Sequence, residues 1–306
     1  MMDANFHTGF VAVLGPTNAG KSTLFNSMMK KKLSIVSRKS QTTYHAIRGI
    51  KHGEESQTVL IDTPGLQRYP QRIPRLLNEI AKNQAKDADL LVWVFDVSCS
   101  HFRRSLDQLL PLIQKSKPKA NTILVLNKVD CISKPLLLPI LDELIKLDFA
   151  DEIIPVSALK GSNVDRLEEV LQAKLPKGEP HYPKDMSTDR SFAFQVTEII
   201  REKIYAFLHQ EVPYAVWVEL EQIDPAHSPV QPKTPTHFVR IHVDSESKKA
   251  MLIGKGGTML KRIGVAARED LEKVIGHQIC LKLHVDVQPS WQEDKRKLLN
   301  YLELES

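Results

Sequence analysis

The stretch FVAVLGPTNAGKSTLFNSM (10–28) decides how the first half of the chain folds. An apolar run of strand length, 10–15, leads into GPTNAGKS (15–22), and an apolar helix follows. Strand, glycine-rich loop and helix in that order give the pattern GxxxxGK[ST] the context its chemistry requires. Gly15 and Gly20 let the backbone curl so that its N–H groups face a phosphate. Lys21 is placed to reach the outer phosphates, and Ser22 to offer a hydroxyl to magnesium. The candidate phosphate-binding residues are Gly15, Asn18, Ala19, Gly20, Lys21, Ser22 and Thr23. A glycine turn with a surface lysine would show the same letters, so the companions of this loop matter.

Outward from it, strands and helices alternate from about residue 8 to 175. The apolar runs TVLID (58–62), LLVWVFD (90–96), TILVLN (122–127) and IIPVS (153–157) read as buried strands. Segments of helical period, 72–86, 103–115, 135–147 and 163–174, separate them. Such alternation predicts an α/β domain, a mostly parallel sheet with helices on both faces. The polar, proline-containing segment PKGEPHYPKDMSTDR (176–190) then reads as a linker. The expected organisation is a first domain over 1–178, a linker over 179–191 and a second domain over 192–306. In the second, the pattern predicts a helix (192–209), strands at 214–221 and 237–243, two helices around GKGG, and an alternating strand from Ile279 to Val287. A proline-rich loop (224–235) joins the first two strands, and a C-terminal helix is expected near 292–303. The order α-β-β-α-α-β is that of a smaller α+β domain.

Composition is that of an ordinary globular chain, 42% hydrophobic and 26% charged. No apolar run reaches the roughly 18–20 residues that span a bilayer, and the first ten residues lack a basic-then-apolar signal segment. Cys99, Cys131 and Cys280 are odd in number and far apart, which fits a reducing cytoplasm and argues against a disulfide framework or a zinc site. The net charge of +5 is weak evidence for an anionic partner. Its distribution says more. Lys248, Lys249, Lys255, Lys261, Arg262 and Arg268 fall within 21 residues that hold no acid. A solvated helix face would explain the cluster, were it not wrapped around a glycine-rich loop.

Four motifs accompany the first loop. DTPG (62–65) ends the third strand, where Asp62 can hold magnesium through water and the Gly65 amide can meet a γ-phosphate. Thr63 and Pro64 belong to the same segment. QTT (41–43) lies in the preceding loop and brings Thr42 and Thr43 near the metal. NKVD (127–130) ends the fifth strand, at the carboxyl edge where open α/β sheets bind ligands. Asp130 can accept hydrogen bonds from the guanine N1–H and 2-amino group. Adenine offers neither, and an unpaired buried carboxylate discriminates by roughly 10⁴-fold. Asn127 braces the loops, the Lys128 stem covers the base, and Ser157 and Ala158 of SAL follow the sixth strand, where their backbone amides can contact the guanine oxygen. Five motifs in order predict binding of GTP and GDP with Mg²⁺, the metal held by Ser22, Asp62 and a threonine of QTT. The residue after DTPG, where a glutamine orients water in Ras-like proteins, is Leu66. Catalysis must then use backbone, another residue or an ion; Asn18 is a candidate to hold K⁺ against the phosphates.

The second loop, AMLIGKGGTMLKRIG (250–264), is not a second nucleotide site. GxxxxGK needs glycine where Lys249 stands and Ser or Thr where Gly256 stands, and GxGxxG needs glycine at Met259. A helical segment, not a buried strand, precedes it. GxxG between two helices is instead the backbone clamp of a KH domain. Gly254 and Gly257 admit an RNA backbone, and the following helix N-terminus offers amides to a phosphate. Ile253, Lys255, Gly256, Lys248, Lys261 and Arg262 complete the candidate RNA-binding set. Met251, Ile253, Ile263 and the adjacent strand face are expected to form the apolar wall.

GPTNAGKS, SRKSQTT, DTPG with an apolar residue after it, NKVD and VSALKG together resemble the Era family of bacterial GTPases. REKIYAFLHQEVPYAVWVELE (201–221) and MLIGKGGTMLKRIGVAAREDLE (251–272) are similar to the same family, so the likeness covers about 9–291. It implies a P-loop GTPase domain followed by a type II KH domain, with Thr43 as the switch threonine. Tyr44 stands where the family usually has arginine. The resemblance further implies binding of the 3′ end of 16S rRNA and a role in small (30S) ribosomal subunit assembly, by a cytoplasmic monomer that also associates peripherally with the inner membrane. The other class of function open to this pattern is a signalling GTPase whose C-terminal domain binds protein or an anionic membrane surface.

Overall fold

A computed structural model describes residues 6–37, 39, 42–67, 72–116, 121–208, 211–224 and 234–289, with 291, 293, 294, 298 and 301 beyond them. The chain divides into two compact units, Met1–Asp189 and Arg190–Ser306. In the first, β1 (His7–Leu14), α1 (Lys21–Met29), β2 (Ile47–His52), β3 (Ser56–Asp62), α2 (Arg72–Asp87) and β4 (Leu90–Asp96) are followed by α3 (Phe102–Ser116), β5 (Thr122–Asn127), α4 (Lys134–Lys146), β6 (Glu152–Pro155) and α5 (Val164–Lys174). The sheet runs β2-β3-β1-β4-β5-β6. Only the β2–β3 pair is antiparallel. The chain leaves β1 for β3 on one side and β4 on the other, so a crevice opens at the C-terminal end of β1.

Alternation along the strands sends side chains to two covered faces. Leu14, Trp93, Phe95 and Leu126 meet Ala81 and Ala85 of α2 and Leu106 of α3 on one face. The intervening Val11, Val13, Val92 and Val94 are also fully buried, and α1 packs with α5 on that side. β2, IRGIKH, carries no apolar run; as a short edge strand it buries only Ile47, Gly49 and Ile50, and its polar residues Arg48, Lys51 and His52 stay partly exposed. A side chain at Gly49 would meet Phe25 Cζ at 2.7 Å, so this strand lies directly under α1.

The polar segment expected to be a linker is strapped to β2 and β3. Gln57, fully buried, accepts from the backbone N–H groups of His181 (2.7 Å) and Tyr182 (3.0 Å) and donates to the Tyr182 carbonyl (2.7 Å). Ile50 N–H donates to the Ser187 carbonyl at 3.0 Å.

The second unit comprises α6 (Phe192–Phe207), β7 (Trp217–Asp224), β8 (Thr236–Val243), α7 (Glu246–Ile253), α8 (Thr258–Ile275) and β9 (Cys280–Val287). Its sheet is β7-β8-β9, with β8 and β9 parallel. β7 begins at Trp217 rather than 214, because Val212–Ala215 form a 3₁₀ turn around Pro213. Residues 225–233 of the proline-rich loop, and most of the helix expected over 292–303, lie outside the described residues. Ile200 and Ile204 of α6, Ile241 of β8 and Ile263 and Leu271 of α8 share one core.

Inside that core edge Arg201 pairs with Glu198 one helical turn earlier, both almost without solvent. Removing one member of a buried pair leaves an uncompensated charge, at a cost of about 3–5 kcal/mol. Arg201→Ala is expected to lower the stability of the second unit by about that much in urea unfolding followed by Trp217 and Trp291 fluorescence. The double change Glu198→Leu, Arg201→Met should recover most of the loss.

Candidate functional site

A cleft of about 530 Å³ opens at the C-terminal end of β1. The phosphate loop forms one wall. Gly15 and Gly20 have φ of 139° and 91°. A side chain at Gly15 would collide with the Val94 carbonyl, and one at Gly20 with the Asn127 amide. Gly65, from the DTPG segment, would collide with Thr17 if it carried a Cβ. The motifs of three strand ends meet only because these positions are bare.

Ser22 Oγ donates to Asp62 Oδ2 at 2.6 Å and lies 3.1 Å from Thr43 Oγ1. Thus the three residues expected to hold the metal come together from three segments. Ser34 also donates to Asp62 Oδ2, at 2.7 Å. The Asp62 carboxyl is fully buried, and desolvation pushes its pKa above the usual carboxylate range against the Ser22 and Ser34 hydrogen bonds and the Lys21 charge. Its Oδ1 is buried without a hydrogen-bond partner. A hard divalent cation with oxygen ligands fits such a donor set. Lys21 Nζ reaches back to the carbonyls of Pro16 (2.8 Å) and Gly15 (3.2 Å). Thr63 turns inward, its hydroxyl donating to the Val13 carbonyl at 2.7 Å. Thr42 donates to the Lys39 carbonyl at 3.0 Å.

At the other end of the cleft Asn127 joins three loops. It donates to the Ala19 carbonyl (2.9 Å) and accepts from the amides of Lys128 (2.8 Å) and Ala158 (3.0 Å). The Ala158 amide is therefore already occupied, and a contact to the guanine oxygen requires it to share its hydrogen. Lys128 Nζ binds the Asn18 carbonyl (2.9 Å) and Asp96 Oδ2 (2.6 Å), which lays its stem along the cleft. Asp130 is exposed at the mouth, and the neighbouring Ser157 hydroxyl holds its carboxyl below the usual range. Asn18, in the left-handed region at φ 61°, is exposed in the cleft. Leu66 is buried in the core and its amide donates to the Gly15 carbonyl at 3.0 Å, so its side chain takes no part in the cleft.

Sequence reasoning missed Ser34, Lys39 and Asp96. Lys39 lines the cleft, and partial burial lowers its pKa. Ser34 and Asp96 reach the site through partners, Asp62 and Lys128, that only the fold brings near.

In the second unit the glycine loop has the geometry of a clamp. Gly254, Gly256 and Gly257 have φ of 74°, 61° and 77°. A Cβ at Gly254 would lie 2.7 Å from Met259 Cβ, whereas Gly256 and Gly257 face open space. Gly254 is thus required by the turn itself, and the other two leave room for a ligand. Beside them is a groove lined by Gly257, Leu260, Lys261, Val265, Leu281 and Leu283. Ile263 is not part of that wall. It is fully buried in the core, because positions 260 and 264 of α8, not 263, face outward beside β9. Met251 is exposed but does not line this groove, and Ile253 packs against the core. Lys248 is held by Asp244 (2.6 Å), and the Arg262 guanidinium lies over the Phe207 ring (4.1 Å). Lys255 and Lys261 are exposed and make no ion pair with a described residue.

Two family models match the chain, a 50S ribosome-binding GTPase over residues 10–128 and a KH domain over 211–292. The GTPase Era of Histophilus somni (strain 129Pt) is 40% identical over 308 residues, which cover 99% of this chain and 100% of that protein. The chain belongs to the Era family of GTPases. Two solved Era structures are similar throughout. One is Aquifex aeolicus Era with a tyrosine-to-alanine change, bound to GDP and aluminium fluoride, at 35% identity and a TM-score of 0.88 over 97% of this chain and 99% of that one. The other is Era in complex with MgGDPNP and nucleotides 1506–1542 of 16S ribosomal RNA, at 35% identity and a TM-score of 0.89 over 97% and 98%. As an Era GTPase, the protein converts GTP to GDP and phosphate. No helix among the described residues is long and apolar enough to cross a membrane.

Burial lowers the Lys21 pKa to about 8, against the opposing charge of Asp62. A bound polyphosphate favours the ammonium form, so its pKa rises in the complex. Below about 8 the free protein already carries that proton; above it, binding must take one up. The GDP dissociation constant, measured without magnesium, is expected to be flat below about pH 7.5 and to rise toward tenfold per unit above 8. Lys21→Met should bind weakly at every pH. The same alkaline rise in that variant would show another group responsible.

Proposed function

We propose that this Era-family GTPase is a switch whose nucleotide state controls binding of single-stranded RNA, the 3′ end of 16S rRNA, in assembly of the small ribosomal subunit. The observation that carries this reading is the open clamp at Gly256 and Gly257. It lies at the N-terminus of α8, beside an apolar groove and the unpaired-charge side chains Lys255 and Lys261. Bare backbone and helix amides suit a phosphate, and apolar walls suit unstacked bases. The Era structure that holds nucleotides 1506–1542 of 16S rRNA supports the same assignment for this chain.

In this reading the G domain is the first unit and the KH domain the second, and one copy suffices because each site is built within one chain. Gly15, Asn18, Ala19, Gly20, Lys21, Ser22 and Thr23 hold the phosphates. Ser22, Thr43 and Asp62 hold magnesium, which neutralises charge on the phosphates when bound. Asn127, Lys128, Asp130, Ser157 and Ala158 form the guanine end. GTP orders Thr43 and Gly65, and hydrolysis releases them. With Leu66 buried, no side chain after DTPG orients water; Asn18 would hold a K⁺ ion, whose charge would stabilise the phosphates in the transition state. The protein works in the cytoplasm; peripheral membrane association is the competing use of its basic face.

Gly257→Asp with Lys261→Glu is expected to leave GDP affinity nearly unchanged, to lower the thermal midpoint of the second unit by a few degrees because Gly257 has φ 77°, and to weaken binding of a single-stranded RNA at least about 30-fold. Anionic vesicles at the same ionic strength provide the comparison. RNA binding that survives the change, or vesicle binding stronger than RNA binding in the parent protein, would overturn the assignment. For the ion, GTP turnover should be several-fold faster in K⁺ than in Na⁺, and Asn18→Ala should remove the difference.

A further inference from the structure

Between α2 and α3 the first unit holds another cavity, of about 180 Å³, that shares no lining residue with the nucleotide cleft. Leu66, Ala81, Ala85 and Leu112 give it apolar walls. Trp93 also lines it; the side chain is 1% exposed, and its indole Nε1–H is buried without an acceptor among the described residues. Buried donors left unpaired are rare, and each one asks for an explanation. Three exposed lysines, Lys82, Lys86 and Lys115, line the same cavity, and no carboxylate does among the described residues; Lys82 and Lys115 make no ion pair with a described residue. An apolar cavity of about 150 Å³ accommodates a benzene ring, so this one admits a single substituted ring and little more.

We propose that this cavity binds a small aromatic carboxylate with a hydrogen-bond acceptor opposite the carboxylate. The ring lies between α2 and α3, and the acceptor takes the Trp93 Nε1–H. The carboxylate sits beside Lys82 and Lys115, where the charge is complementary. Leu66, one wall of the cavity, follows Gly65 and donates its amide to the Gly15 carbonyl. A ligand here therefore touches the residue that joins the DTPG segment to the phosphate loop.

The probe is 4-hydroxybenzoate, added to the full-length, GDP-bound protein while the indole N–H resonances are followed by ¹⁵N NMR. Trp93→Phe assigns the Trp93 signal among the three tryptophans. That signal is expected to move with saturation, at a millimolar dissociation constant fitting so small a ligand. Benzoate, which lacks the acceptor, and phenol, which lacks the carboxylate, should each bind at least about fivefold more weakly. Ala85→Leu fills the cavity while keeping the reporter, and should abolish the shift. A Trp93 signal that stays still, or drifts without saturating up to about 20 mM, overturns the proposal. Equal effects of all three compounds, or normal titration of a folded Ala85→Leu variant, do the same. If that variant does not fold, the comparison of benzoate, phenol and 4-hydroxybenzoate decides alone.

Discussion

The nucleotide cleft depends on one buried side chain, Asn127. It touches the phosphate loop through the Ala19 carbonyl, its own loop through the Lys128 amide, and the SAL loop through the Ala158 amide. Each of these groups would otherwise be a buried polar atom without a partner, at a cost of about 1–3 kcal/mol. One carboxamide thus fixes the distance between the phosphate end and the guanine end. Gly20 completes the arrangement, since any side chain there would occupy the position of the Asn127 amide. The two motifs are coupled by shape as well as by hydrogen bonds.

Charge is arranged around the same frame. Lys21 and Asp62 are both fully buried, and burial penalises the charged form of each. Their mutual attraction offsets part of that penalty, and backbone carbonyls and serine hydroxyls offset more. Asp62 Oδ1 has no hydrogen-bond partner among the described residues, so in the proposed reading a cation held by Asp62 and a polyphosphate beside Lys21 would offset what remains of both penalties.

Much of this was legible in the sequence because backbone geometry and motif spacing are local. The order of strands and helices, the bare positions 15, 20 and 65, and the clamp at 254–257 all follow from short stretches. What was not legible depended on pairings far apart in the chain. β2 has no apolar run to reveal it, since this short edge strand beside α1 buries only Ile47, Ile50 and a glycine at 49. The segment 179–189 reads as linker by composition, yet Gln57 holds it through the backbone of His181 and Tyr182. Ile263 looks like a groove residue from its neighbours; the phase of α8 against β9 puts it in the core and turns Leu260 and Val265 outward. Three lysines and a tryptophan around one cavity could not be read at all, because they come from two helices and a strand.

The two glycine loops show how the same local device yields sites of different strength. Both end in a helix N-terminus with a lysine close by, and both expose bare backbone to a phosphate. The first follows a buried strand, so its lysine is enclosed and its glycines press against Val94 and Asn127. An enclosed charge is poorly screened and binds a compact, multiply charged anion tightly. The second follows an exposed helix; Lys255 stands in solvent, and Gly256 and Gly257 face open space. Attraction there is screened and salt-dependent, and each phosphate contributes little alone. In the proposed reading, affinity would then come from several nucleotides laid along the groove of Leu260, Val265 and Leu283. A chain of linked phosphates and bases can satisfy that requirement, and a single nucleotide cannot.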